Sequence, residues 1–270
     1  MDTATDFPLV AGDRSGAVCD AQGNAFAPGS PTALGTGLRP VPLNEHSARI
    51  NPYLRAVHDH PGVLLPTPSP AALDALRAAA GTPRRLVVDL GCGSGNFLLQ
   101  LAAQRPQDHF VGLELRFKRL VKSARKFERL GLHNVWILRE QAERFGSYFA
   151  PGAVAEVHVN FPDPWPRRSQ WRKRLIQPAF LSELERLLTP GGWFFLKTDH
   201  TGYFLHVLGL IHRRPGWRLR DFCNDTHLRS AASRGVAAGG QQAAPAETEF
   251  EQLFRSKGQA VFSLALERTR

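Results

Sequence analysis

From residue 84 onward, short apolar runs alternate with stretches in which apolar positions recur every three or four residues. LVVDL (86–90), HFVGLEL (109–115), NVWIL (134–138), AEVHVNF (155–161) and WFFLKT (193–198) read as buried strands. Between them, FLLQLAAQ (97–104) reads as a buried helix, and a helix over 178–188 buries Phe180, Leu181, Leu184, Leu187 and Leu188. The stretch 116–130 is two-faced. Phe117, Leu120, Val121, Ala124 and Phe127 lie at helical spacing on one side, with Lys118, Lys122, Arg125 and Arg129 on the other. A further helix is expected over 71–80, with Leu73, Leu76 and Ala80 on one face. Strand and helix in alternation predict an α/β fold with a doubly wound, mostly parallel sheet. Two later runs, 217–222 and 259–266, bring the expected sheet to seven strands.

Outside this pattern the chain is less regular. Residues 1–45 are rich in Gly, Pro, Ala and Thr without any period, which predicts a loosely structured N-terminal extension to a domain over 46–270. The Gly/Ala/Gln stretch 235–246 cannot be core. No run approaches eighteen apolar residues and the first twenty lack an apolar signal segment, so neither a membrane span nor a secretory signal is expected. Three scattered cysteines, Cys19, Cys92 and Cys223, cannot make a disulfide scaffold and suit a reducing, cytoplasmic setting. At 43% hydrophobic residues the chain can bury a full core. Its 34 Lys and Arg against 24 Asp and Glu leave a formal charge of +10, a field that gathers polyanions such as RNA.

Candidate chemistry begins after the first strand, in DLGCGSGN (89–96). Glycines at 91, 93 and 95 let the backbone turn sharply and approach a ligand. A dinucleotide fingerprint would need Gly at position 96, where Asn96 stands, and a pyrophosphate would be repelled by Asp89. A carboxylate there suits a ligand with a cationic group, such as the amino-acid end of S-adenosylmethionine. Glu114, ending the second strand, is placed to accept from two ribose hydroxyls. A nicotinamide or flavin site and a ligand-free turn are the competing readings. Gln141 ends the third strand as either an adenine contact or an exposed residue opening a helix.

The fourth strand runs into NFPDPWPRR (160–168). Prolines on both sides of Asp163 fix a carboxylate at the sheet edge where ligands of such folds sit, and Trp165 offers a surface for a base. The competing reading is a rigid turn around a buried Trp. RRSQWRKR (167–174) then places five basic residues and no acid in eight, as a phosphate contact through Arg172, Lys173 and Arg174 or as a solvated face. His58 and His60 flank Asp59, but no further ligand lies at metal-site spacing, so no metal is expected.

Taken together, DLGCGSG, GLEL, NFPDPWPRR with WRKRL, KTDHTGY and TEFEQLFRSKGQ resemble the bacterial tRNA (guanine-N7-)-methyltransferases over residues 86–267. The resemblance implies a Rossmann-like class I methyltransferase that uses S-adenosylmethionine to methylate N7 of guanine 46 in the variable loop of tRNA. It implies that Asp89, Gly91, Gly93, Gly95, Glu114, Gln141 and Asp163 hold the cofactor, Asp163 being also catalytic. Arg167, Asp199, Thr248, Glu249, Phe250 and Glu251 fall on its substrate positions. Three positions depart from the family pattern: Asp89 where Glu is usual, Gln141 where an acid is usual, and Arg167 where Lys is common. A methyltransferase of another substrate and a non-catalytic RNA-binding relative stay open, as does the oligomeric state.

Overall fold

The computed structural model describes residues 51–226 and 246–269; the expected N-terminal extension and most of the stretch 235–246 lie outside the described residues. In chain order the elements are α1 (Tyr53–Ala56), β1 (Leu64–Leu65), α2 (Pro70–Ala79), β2 (Leu86–Leu90), α3 (Asn96–Gln104), β3 (His109–Glu114), α4 (Phe117–Arg129) and β4 (Val135–Arg139). A 3-10 turn (Ala142–Tyr148), β5 (Val154–Asn160), a second 3-10 turn (Arg168–Lys173), α5 (Pro178–Leu187), β6 (Leu188–Thr198) and α6 (Thr201–Ile211) follow. The chain closes with β7 (Trp217–Cys223), α7 (Glu249–Ser256) and β8 (Phe262–Arg268).

Among the described residues the strands form one eight-stranded sheet in the order β1-β4-β3-β2-β5-β6-β8-β7. All pairings are parallel except those of β8, which runs antiparallel to β6 and β7. The expected count of seven is corrected to eight by β1, whose two residues pair with Ile137 and Leu138 and are too short to show a period. Successive residues of β2 feed opposite cores. Val88 and Leu90 pack with Leu73, Phe145, Leu184 and Tyr203, whereas Val87 packs with Leu98, Phe110, Leu120 and Phe127. Helices therefore cover both faces, and strands buried on two sides read as continuous apolar runs.

Helix ends are fixed locally. Ser69 accepts from the Ala72 amide at 3.2 Å, with Pro70 in the first turn of α2. The ring of His200 accepts from the Tyr203 amide at 3.0 Å at the start of α6. α6 and α7 are additional to the helices expected from the pattern. The order of strands reverses between β2 and its neighbours β3 and β5, so a crevice opens at the carboxyl ends of these strands.

Candidate active site

The turn after β2 passes through left-handed backbone at Gly91, Gly93 and Gly95, with φ of 78°, 60° and 73°. Two of these glycines serve different ends. A Cβ on Gly95 would lie 2.8 Å from Phe127 and 2.9 Å from Ser123, so its absence lets the turn press against α4. A Cβ on Gly93 would meet nothing nearer than Arg119 at 3.9 Å, which leaves the backbone open to a ligand. Lys126 and Ser123 hold the turn from behind, donating to the carbonyls of Ser94 at 3.0 Å and Gly93 at 3.2 Å.

Two buried carboxylates stand at the ends of adjacent strands. Asp89 is 2% exposed, and burial pushes its carboxyl up to about 7, with Glu114 adding to the effect; a hydrogen bond from Asn160 and the charge of Lys197 oppose it. The Asn160 amide donates to Asp89 Oδ1 at 3.2 Å. Asn160 lies in a segment the sequence singled out, yet its service to Asp89 needed the β2–β5 pairing to become visible. Glu114 is fixed by the amides of Leu115 and Arg116, which donate to its Oε1 at 2.8 and 2.9 Å. Its Oε2 lies 3.5 Å from Arg119, the oxygen that faces fewest partners. The open glycine turn and these carboxylates fit a ligand carrying an ammonium group and a diol.

Gln141 is exposed and opens the 3-10 turn at the end of β4. The buried acid next to it, Glu140, is engaged by the Gln141 amide, the Tyr148 hydroxyl and Arg144.

β5 ends in a strained turn. Phe161 and Trp165 have φ of 53° and 41°, a region bulky side chains avoid, and Asp163 stands exposed midway between them. The Phe161 amide donates to the Lys197 carbonyl at 2.8 Å, anchoring the turn to β6. Trp165 is half-buried, with the Lys173 ammonium 4.8 Å from its ring centroid. Arg167, Arg172 and Lys173 are exposed. Arg174 is not, which corrects its assignment to RNA phosphates. Its guanidinium is buried over the rings of Trp171 and Tyr203, at 4.6 and 5.1 Å. It donates to the carbonyls of Pro164 at 2.9 Å and Gly202 at 3.4 Å, so it clamps the turn from inside.

The segment from Thr248 to Glu251, which the resemblance assigns to the substrate, is the start of α7. Thr248 is the helix cap, its buried hydroxyl accepting from the Glu251 amide at 3.0 Å. Glu251 is buried and ion-paired with Lys197 at 2.7 Å, so neither side chain presents a free group to a base. Glu249 is exposed but turns to the glycine loop, accepting from Ser94 at 2.7 Å and from Asn96. Phe250 is 43% exposed, its ring 5.8 Å from that of Phe161. Asp199, just past β6, is half-buried and accepts from Gln259 at 3.3 Å. The fold thus gathers Asp89, Glu114, Asn160, Asp163, Lys197, Asp199 and α7 at one sheet edge.

Known methyltransferases are similar to this chain. The model of a family described as putative methyltransferase matches residues 83–264. A tRNA (guanine-N(7)-)-methyltransferase of Levilactobacillus brevis is 31% identical over 173 residues, 64% of this chain and 75% of that protein. Its counterpart in Lactobacillus delbrueckii subsp. bulgaricus is 30% identical over 210 residues, 77% and 91% of the two chains. A bifunctional glycosyltransferase/methyltransferase of Fusobacterium nucleatum is 35% identical over 66% of this chain, which spans only 26% of that longer protein. Among solved structures, a 16S rRNA methyltransferase shares the fold with a TM-score of 0.50 at 21% identity, covering 74% of this chain and 94% of its own.

Proposed function

The chain belongs to the bacterial tRNA (guanine-N7-)-methyltransferase family of S-adenosylmethionine-dependent enzymes, and from this membership we propose that it methylates N7 of guanine 46 in the variable loop of tRNA. The observation that carries the reading is the exposed Asp163 carboxylate, held in a strained turn just past β5, the strand paired with the one that bears the buried Asp89. When bound, the cofactor supplies a sulfonium-activated methyl group. Asp89 holds the cofactor's ammonium, Asn160 orients Asp89, and Glu114 accepts from the ribose hydroxyls. Gln141 borders the adenine, and the open backbone at Gly91 and Gly93 allows close approach.

Guanine N7 carries a free lone pair, so attack on the methyl carbon needs no general base. The protein's tasks are alignment and charge stabilisation. Methylation leaves positive charge on the purine, which the Asp163 carboxylate stabilises as it develops. Asp199 accepts from guanine N1–H and N2–H, a donor pair that adenine lacks. Arg167, Arg172 and Lys173 hold phosphates beside the turn and supply affinity rather than base selection. Phe250 offers an apolar ring next to the catalytic turn, while Thr248, Glu249 and Glu251 set the position of α7. The reaction belongs to the cytoplasm, where the cell keeps its tRNA.

The test is nucleoside mass analysis, with position mapping, after incubating the pure protein with unmodified tRNA and labelled S-adenosylmethionine. 7-Methylguanosine at position 46 is the expected product. Label at another base, or none in RNA, overturns the proposal.

A further inference from the structure

The outer face of α4 has no part in the site described so far. Its inner face is the back wall of the glycine loop, through Ser123 and Lys126, and its apolar residues Leu120, Val121, Ala124 and Phe127 are fully buried. Outward, Lys118, Lys122, Arg125 and Arg129 are all exposed. Their spacing of four, three and four residues lines them up as one stripe about 16 Å long. The only acid of the helix, Glu128, is turned to His60, 2.7 Å from its ring nitrogen. None of the four cations has a carboxylate within ion-pair distance among the described residues. Some exposed arginines elsewhere do: Arg186 pairs with Glu183 and Arg220 with Glu267.

Like charges one helical turn apart cost helix stability, so an unrelieved stripe calls for a polyanion to relieve it. The apolar face of α4 is spent in the core, which leaves charge as the only thing the outer face offers. We propose that this stripe is a second RNA contact, gripping backbone phosphates of the substrate apart from the run that holds Arg172 and Lys173. The inference rests on the RNA-substrate reading and deepens it. α4 starts three residues after Glu114, so RNA lying along the stripe reaches the cofactor end of the crevice. Such a contact fixes register without reading bases.

The test replaces Lys118, Lys122, Arg125 and Arg129 together by Gln, which keeps helix propensity. Binding of an unmodified tRNA transcript is measured between about 50 and 200 mM salt, alongside calorimetry with S-adenosylmethionine and a thermal melt. The slope of log affinity against log salt should fall by about 3, from four phosphates at roughly 0.7–0.9 each, with cofactor affinity retained and melting unchanged or raised. A steep wild-type slope that the quadruple variant keeps overturns the stripe alone. A wild-type protein with no salt-dependent tRNA binding overturns the reading beneath it.

Discussion

Lys197 Nζ lies 2.7 Å from Glu251 Oε2, and this ion pair ties the carboxyl end of β6 to α7 over the crevice. The same ammonium donates to the Ala246 carbonyl at 3.4 Å, and Glu251 Oε1 accepts from the Thr226 hydroxyl at 3.3 Å. The Glu251 side chain is 5% exposed and that of Lys197 23%, so the pair is largely shielded from water.

Glu251→Gln therefore removes a counter-charge from a mostly buried ammonium. A lost buried pair costs about 3–5 kcal/mol; the partial exposure of Lys197 brings the expected loss to about 1–3 kcal/mol. Denaturant unfolding measures it, and the double variant Lys197→Met with Glu251→Gln should recover part of the loss. Wild-type stability in Glu251→Gln together with lost guanine methylation would return Glu251 to base reading.

Asp89 makes cofactor binding depend on pH. Its folded-state carboxyl titrates near 7, against 3.8 for an ordinary one, so between these values the folded protein holds a proton that the unfolded chain releases. With more protons bound in the folded state, stability falls as pH rises through that window. Pairing with the cofactor's ammonium needs the ionised form. Affinity for S-adenosylmethionine should thus rise by up to about tenfold per pH unit toward pH 7 and then level off. Calorimetry across this range checks it. Asp89→Asn should flatten the profile and weaken binding by about 1.5–3 kcal/mol above pH 7. A flat wild-type profile would remove Asp89 from the ammonium site.

The sheet was legible in the sequence because parallel strands buried on both faces leave unbroken apolar runs, and LVVDL matches β2 residue for residue. α6 was not, because TGYFLHVLGLI has apolar residues nearly all round and so lacks a period. The acids at strand ends were legible from position alone. Their partners were not: Asn160 meets Asp89 across 71 residues and Lys197 meets Glu251 across 54, distances no local pattern spans. Charge misled at Arg174, since a guanidinium between two rings and two carbonyls looks in sequence like its solvated neighbours.

Asp163→Asn separates catalysis from docking. The side chain is exposed, so the amide fits without disturbing the turn, which is fixed by its prolines and by the Phe161–Lys197 backbone bond. The carboxylate's charge is wanted as the purine becomes cationic. The single-turnover rate should fall by about tenfold or more while tRNA affinity changes little. A change confined to tRNA affinity would make Asp163 a docking residue only.

The basic run divides at a single peptide bond. Arg172 and Lys173 are exposed, whereas Arg174 is 2% exposed and holds the Pro164 carbonyl next to Asp163. Replacing Arg172 and Lys173 by Ala should lower the salt slope of tRNA binding by up to about 2 and leave the melting temperature alone, because a solvated cation gives up only its phosphate. Arg174→Ala should behave in the opposite way. It vacates the space between Trp171 and Tyr203 and strips the Pro164 and Gly202 carbonyls of their donor, so stability should fall by about 2–4 kcal/mol. The salt slope should stay at its wild-type value. Turnover should drop as well, since the clamp sets the backbone on which Asp163 stands. Arg174→Lys keeps the charge but not the planar fork that serves both carbonyls, so it should recover little. Salt titrations and melts on the three proteins decide it; a reduced slope with unchanged melting in Arg174→Ala would put this side chain back among the phosphate contacts.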